Sequence, residues 1–474
     1  MANAVQTRPL VRVPGTRVRA VSTSRATALG VAVGAVAAVF YFLGAGRALD
    51  FDSSVTVGIF VKTGSLLDPL KRQVALNNHP LFSIIEHVLW TLGLRSEVWL
   101  RIPPILFGVA TIAIVTAWCA RSFGVVPALS AGAIVAANPM FAQLSRQLRG
   151  YSLLSLCAVS STLLLWRLVE RSNRPIPSWV PVAYVLFTAA GIATHLYGGI
   201  VLLVHIGIVV ARKEMDATWY WRWILSAGIG GVVYLPTINT VLNTRNSRTF
   251  YLTFPRDVAE SLLGQATVAV VALALVVAYA VWMAHRRPSA VGGVVAMAII
   301  FLFVWLVAQP QFLVFRYLVW LVPGVALAAA IAVARRPGLV VLVVIAVVAM
   351  VVHEQSYWTQ TEVPTAQMAA VVDAARAEHL TVCGINHTGV GVVGYTPQPV
   401  KALTPRAVLD CDVAIGFYLT PAFDRVERRA FPYAWTLPGG VAGFVYSKRP
   451  RSFIDAAMPA PKLTLKTHPK TWPK

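Results

Sequence analysis

Apolar runs of about 20 residues recur between residues 27 and 352 of this chain, with basic residues standing in the gaps. A bilayer core about 30 Å thick takes roughly 20 residues of helix, and only helices or closed barrels satisfy the backbone inside it. The period-two alternation of barrel strands is absent. The expected class is therefore an all-α polytopic membrane protein, with eleven helices near 27–45, 100–119, 124–141, 151–169, 179–195, 197–211, 223–241, 263–284, 290–308, 317–334 and 338–352. Composition agrees: 57% of residues are hydrophobic and 13% charged, where a soluble domain carries roughly a quarter charged. Disorder, a collagen and a small secreted fold are excluded.

The few charges are unbalanced, with 41 Lys+Arg against 19 Asp+Glu and a formal net charge of +22. They are strewn between apolar runs and form no single basic stripe, so nucleic acid is not an expected partner. Short cytoplasmic loops carry the Lys/Arg excess of a membrane protein. The N-terminal tail, 1–26, holds Arg8, Arg12, Arg17, Arg19 and Arg25 and no acid, which places it in the cytoplasm. Alternate connections are then basic in turn: Arg121; Arg167, Arg171 and Arg174; Arg212 and Lys213; Arg286 and Arg287; Arg335 and Arg336. The first helix is longer than a signal-peptide core and a polytopic sequence follows it, so it reads as an uncleaved anchor in a multi-pass plasma-membrane protein. An odd number of helices leaves residues from about 353 outside.

On the outer face this topology puts a long first loop, 46–99, and several cations that break the sorting rule: Lys62, Lys71, Arg72, Arg95, Arg101, Arg146, Arg149, Arg245, Arg248 and Arg316. Arg149 and Arg316 each stand at the outer mouth of a helix. An arginine binds phosphate bidentately and keeps its proton; snorkelling to lipid headgroups explains either residue equally well. Segment 79–93, HPLFSIIEHVLWTLG, is too short to span. It places His79, Ser83, Glu86 and His87 on one helical face, as an interfacial helix or as a peripheral packing helix whose polar stripe meets water. Asp50 and Asp52, in ALDFDSSVT, are either a proton acceptor at the membrane surface or the cap of a helix over Ser53 to Thr56, and spacing alone favours the cap. His195, in THLYGG, reads first as a packed, hydrogen-bonded histidine. No clustered His/Cys spacing supports a metal site.

From Thr365 the pattern changes. TAQMAAVVDAARAEHL is an amphipathic helix, and LTVCGI, CDVAIGFYL and AGFVYSK read as strands of a small extracytoplasmic α/β module within 353–450, followed by a Pro/Lys-rich tail, 451–474. Of the four cysteines, Cys383 and Cys411 fall on these strand-like segments, where a disulfide is permitted; both the paired and the free state fit. GVGVVG, residues 389–394, matches the glycine spacing of a dinucleotide site. That site needs a helix opening at the third glycine, and Tyr395, Thr396, Pro397 and Pro399 follow instead. The motif is rejected.

Six pieces, FDSSVT, NNHPLFSIIEHVLWTLG, LRIPPILFG, RGYSLL, THLYGG and FRYLVWLVPG, span about residues 47–325. In this order they resemble the GT-C type membrane glycosyltransferases, in particular the branch related to protein O-mannosyltransferases and to bacterial transferases that move sugars from polyprenyl phosphate. The resemblance implies a GT-C-like transmembrane domain over 27–352 and a catalytic base in the first outer loop. The family's Asp-Glu pair falls on Asp52-Ser53, so Asp52 is the implied base, with Asp50 beside it as the second candidate. It also implies that His79-Pro80 lines the site, and that Arg149 with Tyr151, His195, and Arg316 with Tyr317 stand near the donor. Lys71 and Arg72 join Arg149 and Arg316 as candidate phosphate-binding cations, and Glu86 joins the substrate-binding set. No cofactor is implied with certainty; a divalent metal is compatible with the chemistry but unsupported by ligand spacing. The implied partners are a polyprenyl-phosphate sugar, a glycan, lipid or protein acceptor, and membrane lipid.

The chemistry suits these residue types, since sugar transfer needs a carboxylate for the acceptor proton and cations for the departing phosphate. A non-enzymatic flippase or transporter of a lipid-linked sugar is the competing expectation. Transporters often show inverted repeats and midplane sites, whereas here no convincing repeat is visible and the polar residues gather at one face. A scaffold using only the tail module leaves the loop residues unexplained.

Overall fold

The apolar runs fold as helices. The computed structural model describes residues 21–71, 79–169, 175–212, 215–239, 255–284, 315–360, 365–385, 392, 394–396, 400–403, 410–417, 431, 433–437 and 443–448. Among them, five helices are long and apolar enough to cross a bilayer: Thr23–Phe42, Glu97–Phe123, Tyr151–Val169, Arg316–Arg335 and Pro337–Glu354. A sixth span exists if Asp257–Leu263 and Thr267–Met283, bent by 83° at their junction, are counted together. Shorter apolar helices at Val125–Ala137, Trp179–Thr194 and Gly198–Ala211 lie between them. The chain is a multi-pass membrane protein with a small C-terminal sheet domain. The expected helix at 290–308 lies outside the described residues.

Several expected spans are broken, each for a local reason. The run 124–141 is Val125–Ala137 followed by Pro139–Leu144. Pro139 has no N–H to continue the first helix, and Asn138 starts the second by accepting from the Phe141 N–H at 2.9 Å. The run 263–284 begins as a helix at Thr267, because Gly264 and Gln265 turn the chain with φ of 109° and 60°. The run 223–241 is the helix Ala217–Gly231 continued by a 3-10 stretch, Val232–Thr237, that contains Pro236. The run 317–334 opens as a 3-10 stretch, Phe315–Leu321, before Val322–Arg335.

The chain divides into two compact units. The first comprises Met1–Ala45, Leu70–Glu86 and Arg101–Glu354. Its core is built largely of Ala, Val, Ile and Leu from the long helices, while Val341, Val344, Val348 and Val352 remain exposed on the helix Val340–Gln360. Apolar side chains left outside a packed bundle suit hydrocarbon as their solvent.

The second unit comprises Gly46–Pro69, His87–Leu100 and Gln355–Lys474. Its sheet has strands β1 (Val382–Ile385), β2 (Lys401–Leu403), β3 (Val413–Phe417), β4 (Tyr433–Leu437) and β5 (Gly443–Ser447) in the order β2-β1-β3-β5-β4. β1 pairs parallel with β2 and β3, and β5 pairs antiparallel with β3 and β4. β2 and β4 add to the three strands expected. The helix Thr365–Ala377 buries Met368, Ala369, Val371, Val372 and Ala375 against Val413, Ile415 and Val445 of the sheet. Phe51, from the first loop, packs on the same core. Cys383 and Cys411 form a disulfide with their Cα atoms 6.1 Å apart. Thr381 donates from its backbone N–H and hydroxyl to the Asp412 carboxylate at 2.9 and 2.6 Å, pinning the entries to β1 and β3.

Candidate active site

In the first unit, four chain segments converge at one end of the helix bundle. His79 precedes the helix Pro80–Thr91, Arg149 and Tyr151 open Tyr151–Val169, His195 and Tyr197 lie in the turn between Trp179–Thr194 and Gly198–Ala211, and Arg316 and Tyr317 lie in the 3-10 turn that opens Val322–Arg335. The His79 ring stands 4.8 Å from Tyr151 and 5.0 Å from His195, centroid to centroid. Tyr317 stacks on Tyr151 at 6.1 Å and lies 4.8 Å from His195 and 5.3 Å from Tyr197. Gly150 permits this approach. A Cβ there would meet Thr194 Cγ2 at 2.5 Å and His79 Cβ at 3.1 Å. Tyr197 was not among the expected site residues; its position two places after His195 was its one sequence signal.

The cluster is dry and positive. Arg149 is fully buried, His79 is 3% and His195 6% exposed, and the Arg316 guanidinium lies 5.9 Å from the Tyr317 ring. A buried Arg149 does not reach for headgroups, which removes the snorkelling alternative for this residue. Burial first, then His195 and the guanidiniums of Arg149 and Arg316, hold the His79 pKa well below its usual value. Burial and the same two guanidiniums push His195 down to about 3. Both imidazoles are therefore neutral at pH 7. His195 Nδ1 accepts from the Tyr197 backbone N–H at 3.1 Å, which assigns its proton to Nε2. His79 Nδ1 is buried with no hydrogen-bond partner among the described residues. A buried polar atom left in this state costs about 1–3 kcal/mol, and a hydroxyl group of a bound ligand would supply the missing bond.

Depressed imidazole pKa values make stability fall on acidification. The unfolded chain takes up protons near the ordinary value of 6.5 and the folded His195 only near 3, so stability is complete above 6.5 and declines below it by up to about 1.4 kcal/mol per pH unit per imidazole. Thermal unfolding of the purified full chain at pH 7, 5.5 and 4.5 checks this, and His195→Gln should flatten the slope. An unchanged slope in that variant would remove His195 from the account.

Asp50 and Asp52 belong to the second unit. Asp50 caps the helix Phe51–Val55, accepting from the Ser53 backbone N–H and hydroxyl, each at 2.9 Å. Asp52 lies in the first turn with a half-buried side chain. Its backbone carbonyl accepts from the Thr56 hydroxyl at 3.1 Å. The helix continues as a π turn, Thr56–Val61, a form found disproportionately at functional sites.

The other candidates are more scattered. Glu86 lies on the helix that His79 precedes, fully buried, with neither carboxyl oxygen hydrogen-bonded among the described residues. Burial raises its pKa well above its ordinary value. Lys71 is exposed at the end of the short helix Asp68–Lys71, and Arg72 lies outside the described residues. Two of the cations that break the sorting rule are structural: Arg101 donates to the carbonyls of Ala45 and Arg146 at 2.7 and 3.2 Å, and Arg146 pairs with Glu354. Among the described residues no group of three His, Cys, Asp or Glu side chains could hold a metal ion.

Residues 78–239 match the family model described as dolichyl-phosphate-mannose-protein mannosyltransferase. No curated sequence matches the chain. Among solved structures, the crystal structure of ArnT from Cupriavidus metallidurans in the apo state is 14% identical, with a TM-score of 0.58 over 89% of this chain and 98% of that one. The chain has the GT-C fold. The structure of the same ArnT bound to undecaprenyl phosphate is 13% identical, with a TM-score of 0.56 over 88% of this chain and 97% of that one. Fold and family-model match together support a GT-C type membrane glycosyltransferase. The matched segment carries His79, Arg149, Tyr151, His195 and Tyr197, five members of the GT-C bundle's aromatic and cationic cluster.

Proposed function

We propose that this chain transfers a sugar from a polyprenyl-phosphate donor to a glycan, lipid or protein acceptor on the outer face of the plasma membrane, its N-terminus in the cytoplasm. The observation that carries the reading is the cluster itself: a fully buried Arg149 and Arg316 acting on two neutral imidazoles, within and beside the segment that matches a lipid-phosphate-sugar transferase family. Arg149 and Arg316 hold the donor phosphate. His79 and His195 hydrogen-bond the sugar, with Tyr151, Tyr197 and Tyr317 as apolar walls; Lys71 and Arg72 draw the anionic donor in from the outer surface, and Glu86 contributes a buried carboxyl to the substrate-binding set. Asp52 is the general base.

In the reaction the acceptor oxygen attacks the anomeric carbon as the bond from that carbon to the phosphate oxygen breaks. The acceptor proton passes to Asp52, and the polyprenyl phosphate leaves as a monoester whose added charge meets the guanidiniums. The prenyl chain stays in the bilayer throughout, which is why an apolar bundle with a charged end suits the donor. One displacement inverts the anomeric centre and needs no covalent intermediate.

Membrane vesicles containing the wild-type chain should transfer labelled sugar from undecaprenyl-phosphate mannose or undecaprenyl-phosphate arabinose to an envelope acceptor fraction. Movement of these lipids between leaflets with no sugar transferred would favour the carrier and overturn the enzyme.

A further inference from the structure

The glycine-rich stretch rejected as a dinucleotide site ends at Gly394, and no helix opens there; residues 392 and 394–396 form a turn. Within the second unit, both polar groups of the Gly394 backbone are spent on the helix that carries Asp52. Its N–H donates to Ser54 Oγ at 2.9 Å, a bond that is buried although 340 residues separate the partners. Its carbonyl accepts from the Lys62 ammonium. Ser54 is two residues after Asp52, and Lys62 follows immediately on the π turn Thr56–Val61. One glycine thus ties down the first turn of this element and the residue that follows its end.

The neighbouring contacts reinforce this brace. The Tyr395 hydroxyl accepts from the Leu49 backbone N–H at 2.6 Å and donates to Glu97 at 3.1 Å. The Thr365 hydroxyl, at the start of the module's helix, donates to the Leu49 carbonyl. The Lys62 ammonium also lies 5.2 Å from the Trp90 ring centroid, and His87 Nδ1 bonds the Val61 carbonyl at 2.8 Å. There is no room for a larger residue at 394: a Cβ would meet Ser54 Oγ at 2.6 Å and the Ser54 Cα and carbonyl oxygen at 2.9 Å each. Two of those three atoms are backbone, so the helix or the turn must move.

We propose that the turn Gly394–Tyr395 of the C-terminal module, with Lys62, is the positioning device for the catalytic base, setting where the Asp52 helix stands. This rests on the reading of Asp52 as base. It gives the module a role in catalysis that is independent of any acceptor it binds. Gly394, Ser54 and Lys62 act through Asp52 and need touch no substrate.

Hydrogen exchange on the full chain in lipid nanodiscs tests the mechanical half. Gly394→Ala and Lys62→Met should each speed exchange over 51–61 about tenfold or more, as loss of a charge-assisted bond implies, with Tyr151–Val169 unchanged. The catalytic half is read as single-turnover transfer per bound donor, using whichever of the two undecaprenyl-phosphate sugars the wild type turns over. A displacement of the order of 1 Å can cost about 100-fold. The expected result is a loss of that size in Gly394→Ala and Lys62→Met, unchanged binding of undecaprenyl phosphate, and recovery in Lys62→Arg, which keeps the cationic donor. Unchanged exchange over 51–61 overturns the brace. Binding of undecaprenyl phosphate that falls in step with turnover overturns the positioning role, because it marks general loss of folded protein. Wild-type transfer by Asp52→Asn removes the base itself, and the proposal with it. An inactive Asp52→Asn beside a fully active Gly394→Ala sinks the brace alone.

Discussion

Asp52→Asn lowers sugar transfer by about 10²–10⁴-fold, the range a general base contributes, while undecaprenyl phosphate continues to bind. The substitution is nearly isosteric and the side chain is half-buried, so the fold should tolerate it. Asp50 supplies the contrast. Its carboxylate is committed to the Ser53 N–H and hydroxyl, so Asp50→Asn keeps the cap, and Asp50→Ala costs about 1 kcal/mol of stability with a smaller effect on turnover. The measurement is transfer per donor-binding site in vesicles for the three variants side by side. If Asp50→Asn is the dead one and Asp52→Asn turns over normally, the two carboxylates have been assigned the wrong way round.

The second large effect belongs to Arg149. Arg149→Lys should lower transfer by about 10²–10³-fold, the usual loss when one donor to a developing oxyanion is removed. Lysine keeps the charge but has no planar fork for two phosphate oxygens. Its shorter reach matters because Arg149 is fully enclosed. Arg316, only partly buried, has room to adjust, so Arg316→Lys should lose less. Kd for undecaprenyl phosphate, read beside the turnover rate, separates ground-state grip from transition-state stabilisation. Equal activity of Arg149→Lys and wild type would show that this guanidinium does not carry the leaving phosphate.

Membrane helices were legible because bilayer thickness imposes a run length that composition cannot hide, as Tyr151–Val169 shows by coinciding with its apolar run. Their breaks were less legible. Asn138-Pro139 is a written signal, whereas the bend at Gly264 and Gln265 depends on two positive φ angles that an apolar window passes over. Strands β2 and β4, KAL and YAWTL, lie outside the three strand-like runs and take their place from pairing with β1 and β5. In the site, motif pieces located His79, Arg149, His195 and Arg316, yet the charge pattern could not separate Arg149 from Arg101 and Arg146. Those two are spoken for by backbone carbonyls and Glu354, a tertiary fact. The bond from Gly394 to Ser54 was invisible for the same reason, since nothing local links positions 340 residues apart.

That long link also bears on biosynthesis. The segments 46–69 and 87–100 leave the ribosome early, yet they share a unit with the chain from residue 355 onward. Contacts so distant in sequence are slow to form because loop closure precedes any reward. The Asp52 helix thus lacks its Gly394 partner until the chain has been made past residue 394. On the proposed reading of Asp52 as base, a chain stopped before residue 394 lacks the contact that seats it. On that reading, transfer would begin only once the turn Gly394–Tyr395 has been made.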